Sequence, residues 1–201
     1  MTTVVIPFAG SGGKTRLHSS SRIRRALSLA MLRDVLAACV TVGRTRVVTP
    51  DGEGAAAARE SGADAVSDPG GGQGAAVRAA FDGLEPGAIL VVNADVPCVA
   101  PQDLRALLAA TPSAGLALVG ALDGTTNALG LSGPDAFAPV YGQGSAGRFQ
   151  AHAAGLGLEA VSVAVPNLAE DVDTLDDLYR LRLRCGPHTL ACLAALGGDL
   201  A

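Results

Sequence analysis

Four groups of residues in this sequence could do chemistry. In FAGSGGKTRL, Gly10, Gly12 and Gly13 let the backbone approach a ligand closely, and Lys14 and Arg16 add positive charge. That is the composition of a loop that cradles phosphates. The run ends in Gly-Lys-Thr as a P-loop does, but the first glycine of GxxxxGK[ST] falls on Phe8, whose bulk spoils that turn. A P-loop therefore stands behind a different phosphate-cradling loop and behind an ordinary tight strand-to-helix connection. The second group is VVNADVP, where Asp95 lies just past the end of an apolar strand. Open α/β sheets bind ligands at that edge. A lone acid there could cap a turn, but the Asp-Val-Pro step pins the backbone and a carboxylate so placed readily holds a divalent cation.

In EDVDT, Asp171 and Asp173 point to one side of an extended segment and Val172 to the other. The same residues suit the charged entry to a helix whose first turn holds Asp176 and Asp177. Taken with Asp95, three carboxylates from two strand ends could hold Mg²⁺, which favours a few carboxylates plus substrate phosphates. The last group is the pair DGTTNALGL and YGQGSAGRF, with glycines and small hydroxyl residues at loop positions and Ser145 at a helix start. Ser145 is there either an anion contact or a simple N-cap.

The elements that must position these groups alternate. Strand-like runs are Thr3 to Phe8, Arg46 to Thr49, Ala88 to Asn93, Leu116 to Leu122, Ala128 to Leu131 and Glu159 to Val165. Helical patterns cover Arg22 to Val40, Gly54 to Ser61, Gly74 to Gly83, Pro101 to Ala110, Ser145 to Gly155, Leu175 to Arg184 and Pro187 to Leu196. In the longest, Ile23, Leu27, Ala30, Met31, Val35 and Ala38 recur at the helical period. Thr174 ahead of Asp177 reads as a capping box. AILVVN is apolar on both faces, as a central parallel strand is. The expected class is α/β, a sheet with parallel strands at its centre and helices on both faces, in one domain over residues 1–201.

Composition excludes several classes. Fifteen Lys and Arg against nineteen Asp and Glu give a net charge of −4, which cannot supply the phosphate neutralisation of duplex binding. Four Phe, two Tyr and no Trp leave few stacking faces for single strands. No apolar stretch approaches the ~20 residues of a membrane span. MTTVVIPF lacks a basic leader and reads as a first strand, so the expected location is the cytoplasm. Cys39, Cys98, Cys185 and Cys192 show no CxxC spacing and read as small buried hydrophobes, with neither disulfide nor zinc expected.

The order of the motifs carries further meaning. IPFAGSGGKTRL, RALSLAMLRDVLAAC, VVNADVP, DGTTNALGL, YGQGSAGRF, EDVDTLDDL and CGPHTL together resemble the guanylyltransferases that make the activated precursor of coenzyme F-420. The resemblance covers nearly the whole chain. It implies a single nucleotidyltransferase domain, related to the nucleotide-sugar transferases and built on a mixed, mostly parallel central sheet between helices, that joins GMP from GTP to phosphoenolpyruvate or 2-phospho-L-lactate and releases pyrophosphate. By that resemblance Asp95, Asp171 and Asp173 bind Mg²⁺, and Gly10, Gly12, Gly13 and Lys14 hold the nucleotide together with Gln73 and Gly74. Thr126 or Asn127, with Gly142 and Ser145, contacts the acid, while Lys14 and Arg16 face the GTP phosphates beside the catalytic Asp95.

Two positions depart from the family pattern. Gln73-Gly74 replaces a Leu-Asn pair ahead of a helix, and Arg148-Phe149 stands where Arg-His is expected, so no role passes to a histidine and His152 reads as a helix-surface residue. No side-chain base is needed, because the attacking phosphate is already ionised near neutral pH. The readings set beside this one are nucleotidyl transfer to the molybdenum pterin, a P-loop phosphotransferase that would release a nucleoside diphosphate, and a GTP-binding protein without turnover. Sequence leaves open the choice of three-carbon acid, with phosphoenolpyruvate preferred. It also leaves open whether the C-terminal helices pack within one subunit or form a homodimer.

Overall fold

Short runs of Val, Ile, Leu and Ala separated by glycine-containing turns become strands, and the 3.6-periodic segments between them become helices. In the computed structural model, which describes residues 1–10 and 20–196, the first half of the chain is β1 (Thr3–Pro7), α1 (Ser21–Cys39), β2 (Arg44–Thr49), α2 (Gly52–Glu60), β3 (Asp64–Ser67), α3 (Gln73–Ala79) and β4 (Ile89–Val92). The second half is α4 (Pro101–Ala110), β5 (Gly115–Gly120), β6 (Thr126–Leu131), α5 (Ser145–Gly155), β7 (Glu159–Ser162), α6 (Pro166–Ala169), α7 (Leu175–Leu181) and α8 (Pro187–Leu196).

The strands form one sheet of order β3-β2-β1-β4-β6-β5-β7. All pairings are parallel except those of β6, which runs against both β4 and β5. Helices cover both faces. Val4, Ile6, Leu90 and Val92 pack with Leu32, Val35 and Leu36 of α1, while Val5, Ile89 and Val91 pack with Val77 and Phe149 on the other side. This explains why β4 is buried along its whole length. A third cluster joins Ile23, Leu27 and Met31 of α1 to Val172, Leu178 and Leu181. Among the described residues no helix is long and apolar enough to cross a membrane.

The sequence reading missed two short elements. β3 is a four-residue edge strand and α6 a single turn, and neither is long enough to show a period. The run Leu116 to Leu122 also ends early. A register shift at Val119/Gly120 breaks the ladder, Leu122 stands 81% exposed, and Asp123 Oδ1 accepts from Thr125 N at 2.9 Å to close the hairpin. The Thr174–Asp177 capping box forms as expected. Cys39, Cys98 and Cys185 are buried, Cys192 is half-buried, and all four are free thiols.

A buried carboxylate fastens the C-terminal helix to the rest. Asp34 of α1, only 4% exposed, accepts from His188 N at 2.9 Å and Thr189 N at 2.8 Å, which are orphan donors of the first turn of α8. Its two oxygens thus cap a helix 154 residues away in the chain. Replacing Asp34 with Ala removes two charge-assisted bonds and leaves buried N–H groups unpaired. The expected cost is about 2–4 kcal/mol of stability, read as a lowered urea midpoint with the α8 amides the first to lose hydrogen-exchange protection.

Candidate functional site

The order of strands changes direction between β1 and β4, since the chain leaves β1 toward β2 on one side and β4 continues toward β6 on the other. A crevice opens at the carboxyl ends of such a pair. Here it is a cleft of about 310 Å³, lined by Phe8 and Gly10 after β1, Asn93 and Asp95 after β4, Gln73 at the start of α3, and Asp173. Gly10 adopts φ +81°, and a Cβ there would sit 2.6 Å from Asp51 Oδ2, so the turn after β1 admits only glycine. Phe8, at the position where a P-loop would need glycine, is buried with its ring against Gly54.

The sheet and the C-terminal segment bring three carboxylates together. Asp95 follows β4, and Val172 N donates to Asp95 O at 2.9 Å, laying the EDVDT segment alongside it. Val172 is fully buried in the third cluster. One oxygen each from Asp95, Asp171 and Asp173 lies within 4.8 Å of the other two. Asp95 and Asp173 line the cleft, whereas Asp171 receives Asn127 Nδ2 at 3.2 Å. All-oxygen donors at this spacing suit a hard divalent cation. Burial, and next the charge of Asp95, push the Asp171 carboxyl above the ordinary aspartate range, with the Asn127 bond opposing them.

The other expected site residues divide. Gly10 and Gln73 line the cleft. Gly74 does not: a Cβ there would lie 2.6 Å from Pro139 Cβ, so this glycine lets α3 approach the loop after β6. Thr126 and Ser145 are buried, and their hydroxyls meet at 2.9 Å, which ties the start of β6 to α5. The helix cap is Gly144, so Ser145 is not the N-cap. Gly142 lies in the exposed loop before α5, where Arg148 donates to the carbonyls of Val140, Tyr141 and Gln143. Gly12, Gly13, Lys14 and Arg16 lie outside the described residues. Phe149 packs in the core against Tyr141, which accounts for an aromatic ring where a histidine was expected. His152 is half-buried, with its Nε2 inaccessible, rather than on the helix surface.

Sequence reading passed over two polar residues of the cleft. Asn93 sits inside the quoted VVNADVP motif, and an amide ending an all-apolar strand was the available signal. Ser28, on the buried face of α1, is 4% exposed, lines the cleft and has no hydrogen-bond partner for Oγ among the described residues. Nothing in its helical spacing distinguishes it from a core position.

With the geometry in place, comparison with known proteins is informative. The profile of the family described as "Guanylyl transferase CofC like" matches residues 2–196. A phosphoenolpyruvate guanylyltransferase of Sphaerobacter thermophilus is 39% identical over 192 residues, covering 90% of this chain and 93% of that protein. One of Mycolicibacterium smegmatis is 36% identical over 196 residues, covering 92% and 86%. Among solved structures, a Desulfovibrio desulfuricans protein described as a nucleotide-diphospho-sugar transferase superposes with a TM-score of 0.74 at 17% identity, covering 98% of this chain and 95% of that one. A Methanothermobacter nucleotidyl transferase gives 0.63 at 19% identity, covering 95% and 98%. At these identities the two structures show the fold.

The raised Asp171 carboxyl makes a signed prediction. Folded protein binds this proton more tightly than unfolded chain does, so the contribution of Asp171 to cation-free stability falls as pH rises through its raised range. Asp171→Asn, which keeps the acceptor for Asn127, is expected to raise the thermal midpoint of chelator-treated protein by a few degrees at neutral pH. That gain should shrink as pH falls through the aspartate range in a series of thermal melts.

Proposed function

From the premise that this chain belongs to the CofC-like guanylyl transferase family, we propose that it transfers GMP from GTP to phosphoenolpyruvate, releases pyrophosphate, and does so with Mg²⁺ held by Asp95, Asp171 and Asp173. The observation that carries the reading is the convergence of those three carboxylates at the end of the glycine-walled cleft. The acceptor is taken from the relatives, which are named phosphoenolpyruvate guanylyltransferases. The product is the activated three-carbon unit of coenzyme F-420 biosynthesis.

The reaction forms a bond between an oxygen of the acid's phosphate and the α-phosphorus of GTP, and breaks the bond between that phosphorus and the pyrophosphate oxygen. Two polyanions must meet, so the main barrier is charge and orientation. Bound to the three carboxylates, Mg²⁺ would supply Lewis-acid charge and a template for both sets of phosphate oxygens. The chain's own part begins with the turn at Gly10, which lets the backbone come close to the nucleotide beside Gln73. Lys14 and Arg16, which follow it in the sequence, are assigned to the departing pyrophosphate. Asp171 faces Asn127, next to the Thr126–Ser145 pair, and these residues are assigned to the acid. The acceptor phosphate is ionised near neutral pH, so no residue need act as general base. A cytoplasmic location accords with such soluble substrates.

Pyrophosphate release from GTP is expected with phosphoenolpyruvate, to stop with a chelator and to return with Mg²⁺. Asp95→Ala, Asp171→Ala and Asp173→Ala should each lower kcat by about 100-fold or more. Unchanged turnover in all three variants would remove the cation site, release of GDP would point to phosphotransfer, and activity only with 2-phospho-L-lactate or a molybdenum pterin would move the acceptor.

A further inference from the structure

Four side chains run in a line from the cleft to the carboxylates. Gln73 Nε2 donates to Asn93 Oδ1 at 2.7 Å, Asn93 Nδ2 donates to Asn127 Oδ1 at 3.2 Å, and Asn127 Nδ2 donates to Asp171 Oδ1 at 3.2 Å. Asn93 Nδ2 also reaches Thr126 O at 3.3 Å, and the Asn93 backbone N–H donates to Asn127 O at 2.9 Å. The direction of the line is dictated from one end. An ionised carboxylate only accepts, so Asn127 must meet Asp171 with its nitrogen. Its oxygen then faces Asn93, which must answer with a nitrogen, and the oxygen of Asn93 is left to accept from Gln73. Reversing any one amide would put two acceptors or two donors face to face.

We propose that Asn93 is a positioning residue: by donating to Asn127 Oδ1 it anchors the far end of the Asn127 amide, so that Asn127 Nδ2 stays on Asp171 and holds the third carboxylate of the cation site in its ligating orientation. The proposal rests on the reading of Asp95, Asp171 and Asp173 as that site. Asn127 is 1% exposed, so with Asn93 gone it has no solvent to restore the donor missing at its Oδ1, and its amide, anchored at one end alone, is released to swing away from Asp171. Partners that orient a metal's ligands from behind typically change metal affinity about 10–100-fold when lost. Asn93 acts one bond further out, and about tenfold is expected at this remove. Gln73, at the half-buried start of α3, fixes Asn93 in the same way and should matter less.

The test uses Mn²⁺ as probe, titrated into the nucleotide-free protein and read by the electron paramagnetic resonance signal of the free ion, alongside a thermal melt of each sample. Wild type should bind one Mn²⁺ displaceable by Mg²⁺, and Asn93→Leu, close in volume and uncharged, should bind about tenfold more weakly while still folded. Gln73→Met should show a loss of about threefold, and it stands as the deciding variant if Asn93→Leu does not fold. A folded Asn93→Leu protein with a lowered melting midpoint but Mn²⁺ affinity within twofold of wild type would make Asn93 merely structural and overturn the proposal. So would unchanged affinity in Gln73→Met if that is the variant in hand. Wild type that binds no Mn²⁺ would instead overturn the cation reading beneath it.

Discussion

Three carboxylates held within 4.8 Å of one another repel, and the architecture around them is what keeps them there. Free in solution, a flexible EDVDT segment would swing away from Asp95. In the folded chain it is fastened at every side. Val172 donates its N–H to Asp95 O and buries its side chain, Glu170 receives Arg180 and Arg184, and Thr174 and Asp177 cap one another at the start of α7. Each of these contacts lowers the freedom of the segment, so the repulsion is set against packing and hydrogen bonds already made. Charge stored in this way would be relieved by a cation such as the proposed Mg²⁺.

The same constraint shapes the neighbourhood of the site. Because β6, alone among the described strands, runs against its neighbours, its first residues, Thr126 and Asn127, arrive beside Asn93, the first residue after β4. A parallel strand in that place would bring its far end there instead. The reversal therefore puts a buried amide against Asp171 and a buried hydroxyl pair just behind it. The turn after β1 and the start of α3 leave an open cleft lined by glycine backbone, Phe8, amide side chains and two of the carboxylates.

Chemistry at the carboxyl edge also depends on how α1 is held, since α1 contributes Ser28 and Met31 to the cleft and Leu27 to the cluster behind Val172. The buried Asp34 ties that helix to α8, so the C-terminal helix, though far from the cleft, braces one of its walls.

Local pattern was enough for much of this protein. The all-apolar run of β4, the period of α1 and the Thr174–Asp177 cap are properties of neighbouring residues, so the α/β alternation and the place of Asp95 past a strand end could be read directly. Spacing by two likewise placed Asp171 and Asp173 on one side of Val172. What only the folded chain decided were relations between distant segments: the 95–171–173 convergence, Gly74 as a packing glycine under Pro139, Ser145 joined to Thr126 rather than capping its helix, the amide line through Asn93, and the cap that Asp34 supplies to α8. A side chain's local period says which face it occupies, but its hydrogen-bond partner is set by which strand the topology lays beside it, and that depends on burying both faces of the sheet at once.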